Sequence, residues 1–204
     1  MSRREGKLYV ISGPSGTGKG TICAELLKDP LNDFSVSMTT REPREGEVHG
    51  REYYFVSREE FIANIEEGNF LEYAENFDNL YGTPKETVLK KLARGHNVIL
   101  DIDVKGGLQV RKAMPEAILI FILPPSLSEL RKRLEGRGTE TAEKVEKRLG
   151  EALNEIRLIG EYDYQLVNDD IDIAAEKIRN IMTAESLRVP AAVRQIIRAY
   201  EKEV

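Results

Sequence analysis

Leu8-Tyr9-Val10-Ile11-Ser12-Gly13-Pro14-Ser15-Gly16-Thr17-Gly18-Lys19-Gly20-Thr21 runs from an apolar stretch through a glycine-rich turn into a helical pattern. A strand, a tight turn and a helix start in that order aim backbone N–H groups at a phosphate. Gly13, Gly16 and Gly18 permit the close approach that a Cβ would block. Pro14, Ser15 and Thr17 fill the remaining loop positions, and Lys19 adds a charge that can follow a β- or γ-phosphate. The strict pattern has Ser or Thr at position 20, where a hydroxyl ligates Mg²⁺. Gly20 stands there instead, with Thr21 one place later. The phosphate cradle is intact, so a nucleoside triphosphate is expected, but that metal ligand is missing from the motif.

Strand-like and helix-like stretches alternate around this loop. Residues 8–12, 97–103, 117–123 and 164–168 read as buried strands of a parallel sheet. Helical patterns cover 19–28, 84–94, 108–113, 127–134 and 142–159. Capping boxes are read at Ser57/Glu60, Thr83/Glu86 and Ser126/Glu129. The alternation implies a parallel sheet core flanked by helices, with ligands at the carboxyl ends of its strands. Residues 35–82 break the rhythm as a β-rich insertion, with strands at 35–40, 52–57 and 70–76 and a short helix near 58–67. Residues 127–159, dense in charge around Gly136-Arg137-Gly138, read as a helical lid. The core is then 1–34, 83–126 and 160–204, and the tail from Ser186 reads as a helix interrupted at Pro190.

Composition narrows the class. The 204 residues support one domain with inserted subdomains, and 41% hydrophobic with 32% charged residues describes a globular chain. A net charge of −5 argues against a nucleic-acid binder. Cys23 is the single cysteine, which excludes an internal disulfide and a cysteine-based zinc site; it reads as a buried structural thiol. The longest apolar run, 117–123, is too short to span a bilayer, and a cytoplasmic location is expected.

Three further clusters carry chemistry. Arg41 and Arg44, three apart across Pro43, form a clamp suited to a dianionic phosphate, to which Tyr53 and Tyr81 can add hydroxyls. Ser37, Glu72 and Thr83 offer hydroxyls and a carboxylate for a base edge. A carboxylate that accepts two N–H donors matches the N1–H and 2-amino group of guanine, not adenine. Asp101 and Asp103 close a buried strand; alternation places them on one side, and Asp101 is a candidate to organise Mg²⁺. One of the two carboxylates could instead cap the following helix. In the lid, Arg133, Arg137 and Arg148 can meet the charge that builds on a transferring phosphoryl group, where an added arginine is worth about 10³–10⁵ in rate.

These motifs together resemble the guanylate kinase family. The resemblance rests on the phosphate loop, on Ser37-x-Thr39-Thr40-Arg41-x-Pro43-Arg44-x-Gly46-Glu47-Val48-x-Gly50, on Tyr81-Gly82 and on Ile99-Leu100-Asp101-Ile102-Asp103. Leu134-Glu135-Gly136-Arg137-Gly138-Thr139-Glu140 and Val167-Asn168-Asp169-Asp170 complete it. It implies a P-loop nucleoside monophosphate kinase fold and the reaction ATP + GMP ⇌ ADP + GDP. Arg41, Arg44, Tyr53 and Tyr81 would hold the GMP phosphate, while Ser37, Glu72, Thr83 and Asp103 would read guanine. Lys19, Arg137 and Arg148 would stabilise the transferring group. Asp101 would organise Mg²⁺ through water, and Arg133 and Asn168 would lie near the ATP base. It further implies ATP and GMP as partners, deoxy-GMP as another acceptor, no nucleic acid or membrane, and it admits a homo-oligomer. Gly20 is similar to the adenylate kinase form of the loop. Three alternatives share parts of the pattern: another monophosphate kinase, a GTPase switch through Asp103-x-x-Gly106, and a catalytically silent scaffold.

Overall fold

All five residues of Leu8–Ser12, the first strand, are buried, which marks it as the middle of a sheet covered on both faces. The computed structural model describes residues 5–76, 78–136, 141–189 and 193–201. In chain order the elements are β1 (Leu8–Ser12), α1 (Lys19–Leu26), β2 (Asn32–Phe34), β3 (Ser37–Thr39), β4 (Tyr53–Phe55), α2 (Arg58–Glu66), β5 (Phe70–Asn76) and β6 (Asn79–Pro84). They continue as α3 (Lys85–Ala93), β7 (Asn97–Asp101), α4 (Val104–Ala113), β8 (Ile118–Leu123), α5 (Leu127–Glu135), α6 (Ala142–Ile156), β9 (Tyr164–Val167), α7 (Ile171–Ser186) and α8 (Val193–Glu201).

The first sheet has the order β2-β7-β1-β8-β9 and its pairings are parallel. Ile11 on β1 is in register with Asp101 on β7 and with Ile120 on β8. The glycine-rich loop therefore leaves the sheet with Asp101 beside it. Because β7 and β8 lie on opposite sides of β1, the strand order reverses there, the place where open α/β sheets bind ligands. On one face Tyr9, Ile11, Ile99 and Ile120 pack against Ile22 and Leu26 of α1 and Ile178 of α7. On the other, Leu8, Val10, Val98 and Leu119 pack against Val88 and Leu92 of α3 and Val110 of α4. Among the described residues, no helix is long and apolar enough to cross a membrane.

The insertion forms a second sheet, β4-β3-β6-β5, in which β3 pairs in parallel with β4 and antiparallel with β6. Helices α5 and α6 share an apolar seam of Leu130, Leu134, Val145, Leu149 and Ala152. Ser57 and Ser126 cap α2 and α5 as expected, accepting from the N–H groups of Glu60 and Glu129 at 3.1 Å each.

Several expectations are corrected. Strand β7 stops at Asp101 rather than 103, because Asp103 caps α4 by accepting from Gly106 N–H at 2.7 Å. The alternation that would set Asp101 beside Asp103 ends with the strand. Helix α4 starts at Val104, not 108, and runs through two glycines; a Cβ on Gly107 would lie 2.5 Å from the Tyr162 hydroxyl. Pro84, not Thr83, occupies the cap position of α3, so the Thr83/Glu86 capping box does not form. Helix α6 ends at Ile156 and is followed by a separate 3-10 turn, Ile159–Glu161. Strands β2 and β6 and helix α7 were not expected. The tail helix is α8; α7 ends at Ser186, and Pro190 lies outside the described residues.

Candidate active site

The phosphate loop takes the shape its glycines allow. Gly13, Gly16 and Gly18 have φ of 141°, 92° and 87°. A Cβ on Gly13 would fall 2.3 Å from the Ile122 carbonyl, and one on Gly18 would fall 2.5 Å from Asn168 Nδ2. Thr17 closes the turn by donating its hydroxyl to the Pro14 carbonyl at 2.9 Å. Ser15 is exposed, Pro14 is buried, and Gly18 precedes α1 with no side chain capping its first N–H groups. Lys19 Nζ donates to the carbonyls of Gly13 at 2.6 Å and Pro14 at 3.0 Å. Burial pushes its pKa down, opposed by Asp101, Glu155, Cys23 and Asp103.

Asp101 is half-buried, and burial raises its pKa while Lys19 pulls it down. The Cβ direction of Gly20 points at Asp101, 3.4 Å from Oδ2. Thr21 is exposed on the first turn of α1. Among the described residues no group of three or more His, Cys, Asp or Glu side chains could hold a metal ion. Cys23 is buried behind this site, its thiol pushed up to about 12 by burial and by Asp101.

Helix α6 meets the loop through Arg148. Arg148 Nη1 donates to Ser15 Oγ at 3.1 Å. Arg133 points elsewhere: its Nη1 donates to the Asn168 carbonyl at 3.1 Å and its Nε to Glu129 at 3.3 Å. Asn168 is 2% exposed; its Nδ2 donates to the Thr17 carbonyl at 2.7 Å, and its buried Oδ1 has no hydrogen-bond partner among the described residues. Gly16, Gly18, Arg133, Asn168, Asp169 and Ile171 line a cleft of about 330 Å³ there. Arg133 thus separates from Arg148 and joins Asn168, which splits the arginine cluster read from the sequence. Arg137 lies outside the described residues.

The insertion gathers the second group. Arg41 donates from Nη2 to Glu47 at 3.0 Å and from Nη1 to the Glu42 carbonyl at 2.7 Å. Its guanidinium sits 5.5 Å from the Tyr53 ring centre, and Tyr53 meets Tyr81 edge-on at 5.9 Å. The Glu47 hydrogen bond is the main cause that raises the Arg41 pKa, with a smaller contribution from Tyr81. Glu47 also accepts from the Arg44 N–H at 2.7 Å, so one carboxylate holds both ends of the arginine turn. Arg44 itself is exposed.

Glu72 on β5 is opposite Thr83 on β6 and accepts its hydroxyl at 2.6 Å. Ser37 lies one rung beyond the Met38–Gly82 pair of β3 and β6, which sets it in line with Thr83. Glu72 is 8% exposed. Burial raises its pKa first and the charge of Asp103 adds to it, against the Thr83 hydrogen bond. Asp103 influences both Glu72 and Lys19, so the Glu72–Thr83 pair and the glycine-rich loop adjoin.

Two residues near these groups were not singled out for a role. Glu47 stood in the quoted motif without one, and only the fold shows it gripping Arg41. Glu155, late in α6, is close enough for its charge to raise the Lys19 pKa. No spacing in the sequence links this α6 carboxylate to a lysine 136 positions away.

The family model described as "Guanylate kinase" matches residues 5–185. A protein named guanylate kinase from Clostridium tetani is 54% identical over 185 residues, covering 91% of this chain and 89% of its own. One from Clostridioides difficile is 48% identical over the full length of both chains. The crystal structure of guanylate kinase from Anaplasma phagocytophilum superposes with a TM-score of 0.74 at 35% identity, over 96% of this chain and 95% of that one. The chain belongs to the guanylate kinase family.

Proposed function

We infer that the two adjoining groups of residues act as the acceptor and donor halves of one phosphoryl-transfer site. The reaction is the ATP-dependent phosphorylation of GMP, giving ADP and GDP. The observation that carries the residue assignment is Glu72: a buried carboxylate with a hydroxyl at 2.6 Å and a second carboxylate beside it, next to a glycine-rich phosphate loop. Ionised, Glu72 keeps lone pairs for the N1–H and 2-amino group of guanine after Thr83 has taken one. Ser37 and Asp103 complete the base edge. Arg41, Arg44, Tyr53 and Tyr81 hold the GMP phosphate, with Glu47 fixing the turn.

On the donor side the loop N–H groups and Lys19 hold the triphosphate. Lys19 exchanges the carbonyls of Gly13 and Pro14 for phosphate oxygens. Arg133 and Asn168 line the cleft for the adenine. The GMP phosphate oxygen attacks the γ-phosphorus in line, and no side chain forms a covalent intermediate. Catalysis is positioning and charge stabilisation with water excluded. Arg148, already on Ser15, and Arg137 meet the charge of the transferring group as the lid closes. Asp101 lies beside the loop and position 20 carries no hydroxyl, which would suit a Mg²⁺ held by phosphates and through water on Asp101. That ion would neutralise charge on the β- and γ-phosphates. In domain terms, 1–34, 83–126 and 160–204 form the core, 35–82 the GMP-binding unit and 127–159 the lid. Deoxy-GMP is a further acceptor.

Steady-state kinetics of two variants tests the division of labour. Arg41→Ala should raise KM for GMP and leave KM for ATP unchanged. Lys19→Met should abolish turnover while GMP still binds. An Arg41→Ala enzyme with a changed KM for ATP only would overturn the acceptor assignment.

A further inference from the structure

Strand β5 is the outer strand of the inserted sheet, so among the described residues one side of its backbone has no neighbouring strand. Two features fix it around Glu72. The register with β6 jumps between Phe70–Pro84 and Glu72–Thr83, which makes Leu71 an extra, bulged residue. Leu71 is 2% exposed and packs into the core cluster with Val88, Leu92 and Val110. Bulges of this kind re-aim the side chains beside them. Immediately after Glu72, the backbone of Tyr73 is held by a side-chain amide of α4. Tyr73 N–H donates to Gln109 Oε1 at 3.1 Å, and Gln109 Nε2 donates to the Tyr73 carbonyl at 3.0 Å. Gln109 thus supplies the donor and acceptor that a neighbouring strand would offer. Between them Gly106 lies so close that a Cβ there would be 3.3 Å from Glu72 Oε2 and 3.5 Å from Asp103 Oδ1.

Glu72 belongs to the inserted sheet and Asp103 to the core helix, yet both face the same base pocket. We propose that Gln109 is a positioning residue for guanine recognition: its amide mounts β5 on α4 and so fixes the Glu72 carboxylate relative to Asp103. This rests on the assignment of Glu72 as the guanine-reading carboxylate. Gln109 does not touch the nucleotide; it acts by preventing Glu72 from sliding along or away from α4. Displacement of a positioned group by about 1 Å can cost about 10²-fold in rate, so loss of both bonds should be read mainly in base selectivity.

The readout is the ratio of kcat/KM for GMP to that for inosine monophosphate, which lacks the 2-amino group. Gln109→Ala should lower that ratio about tenfold while KM for ATP stays at the parent value. Gln109→Glu keeps an acceptor for Tyr73 N–H but sets a second acceptor against its carbonyl, beside Glu72 and Asp103, and should lower the ratio at least as far. Glu72→Gln, measured in parallel, should collapse the ratio. If Glu72→Gln leaves it unchanged, the base-reading role of Glu72 fails. If Glu72→Gln collapses it but both Gln109 variants keep it, with at most a lower Tm, Gln109 is a structural clasp only and the inference is overturned. Should Gln109→Ala fail to fold, Gln109→Glu decides alone.

Discussion

Replacing Glu72 by Gln alters one atom and inverts part of a hydrogen-bond pattern. In the native pocket the carboxylate accepts from Thr83 and has capacity for two guanine donors. The amide keeps one acceptor oxygen and turns an N–H₂ toward a guanine N–H. One charge-assisted hydrogen bond, about 1.5–3 kcal/mol, is lost and a buried donor is left facing a donor, so about 2–4 kcal/mol is the expected total. At 1.36 kcal/mol per factor of ten this is about a 30- to 1,000-fold fall in kcat/KM for GMP. The fall should be much smaller for inosine monophosphate. The fold itself should not suffer. Burial and Asp103 raise the Glu72 pKa above its ordinary value, so the folded state holds this proton more tightly than the unfolded chain. Stability contributed here therefore declines as pH rises through the carboxylate range, and a neutral Gln removes that decline. At neutral pH Glu72→Gln should melt no lower than the parent in a thermal scan. In the parent, KM for GMP should rise as the pH is lowered and Glu72 protonates; the variant should lack this dependence. A variant with unchanged GMP kinetics, or one that loses GMP and inosine monophosphate equally, refutes the reasoning.

Other perturbations separate the remaining parts. Glu47→Ala releases Arg41 and the Arg44 N–H together, and should raise KM for GMP about tenfold with kcat nearly unchanged; an effect on KM for ATP instead would show that the arginine turn serves the donor. Ile178→Ala opens a void where α7 meets the first sheet and should cost about 2–5 kcal/mol in denaturant unfolding. Gly107→Ala forces a methyl against the Tyr162 hydroxyl and Ser12 Oγ, and should lower Tm by several degrees, unless α4 shifts and GMP affinity falls instead.

The parts legible in the sequence were those fixed by local chemistry. Strand β1 announced itself because both faces are buried and every residue is apolar or small. The phosphate loop was legible because its glycines are required by backbone geometry, and Ser57 and Ser126 because a cap bonds within its own turn. Strand β6 was hidden because Gly82 reads as the end of the insertion and Pro84 as the start of the next helix, although both sit in a paired strand. Strand β2 has three residues and one buried asparagine, too little to show alternation. Thr83 followed by Glu86 looked like a cap, but its hydroxyl is spent on Glu72, eleven residues away in sequence. Charge alone groups Arg133 with Arg137 and Arg148, whereas the family resemblance sets it with Asn168, whose carbonyl it meets. Glu47 and Gln109 were silent for the same reason: each acts through contacts that exist only once distant or looped segments meet.

The most direct test of the whole account is turnover with a panel of acceptors. Purified protein, ATP and Mg²⁺ would be mixed in turn with GMP, AMP, UMP and CMP, and ADP release followed by a coupled assay. The account predicts rapid ADP release with GMP and at most trace release with the other three. Equal turnover of AMP would contradict the reading of the Glu72 pocket, and no turnover with any acceptor despite measurable GMP binding would contradict the transfer site itself.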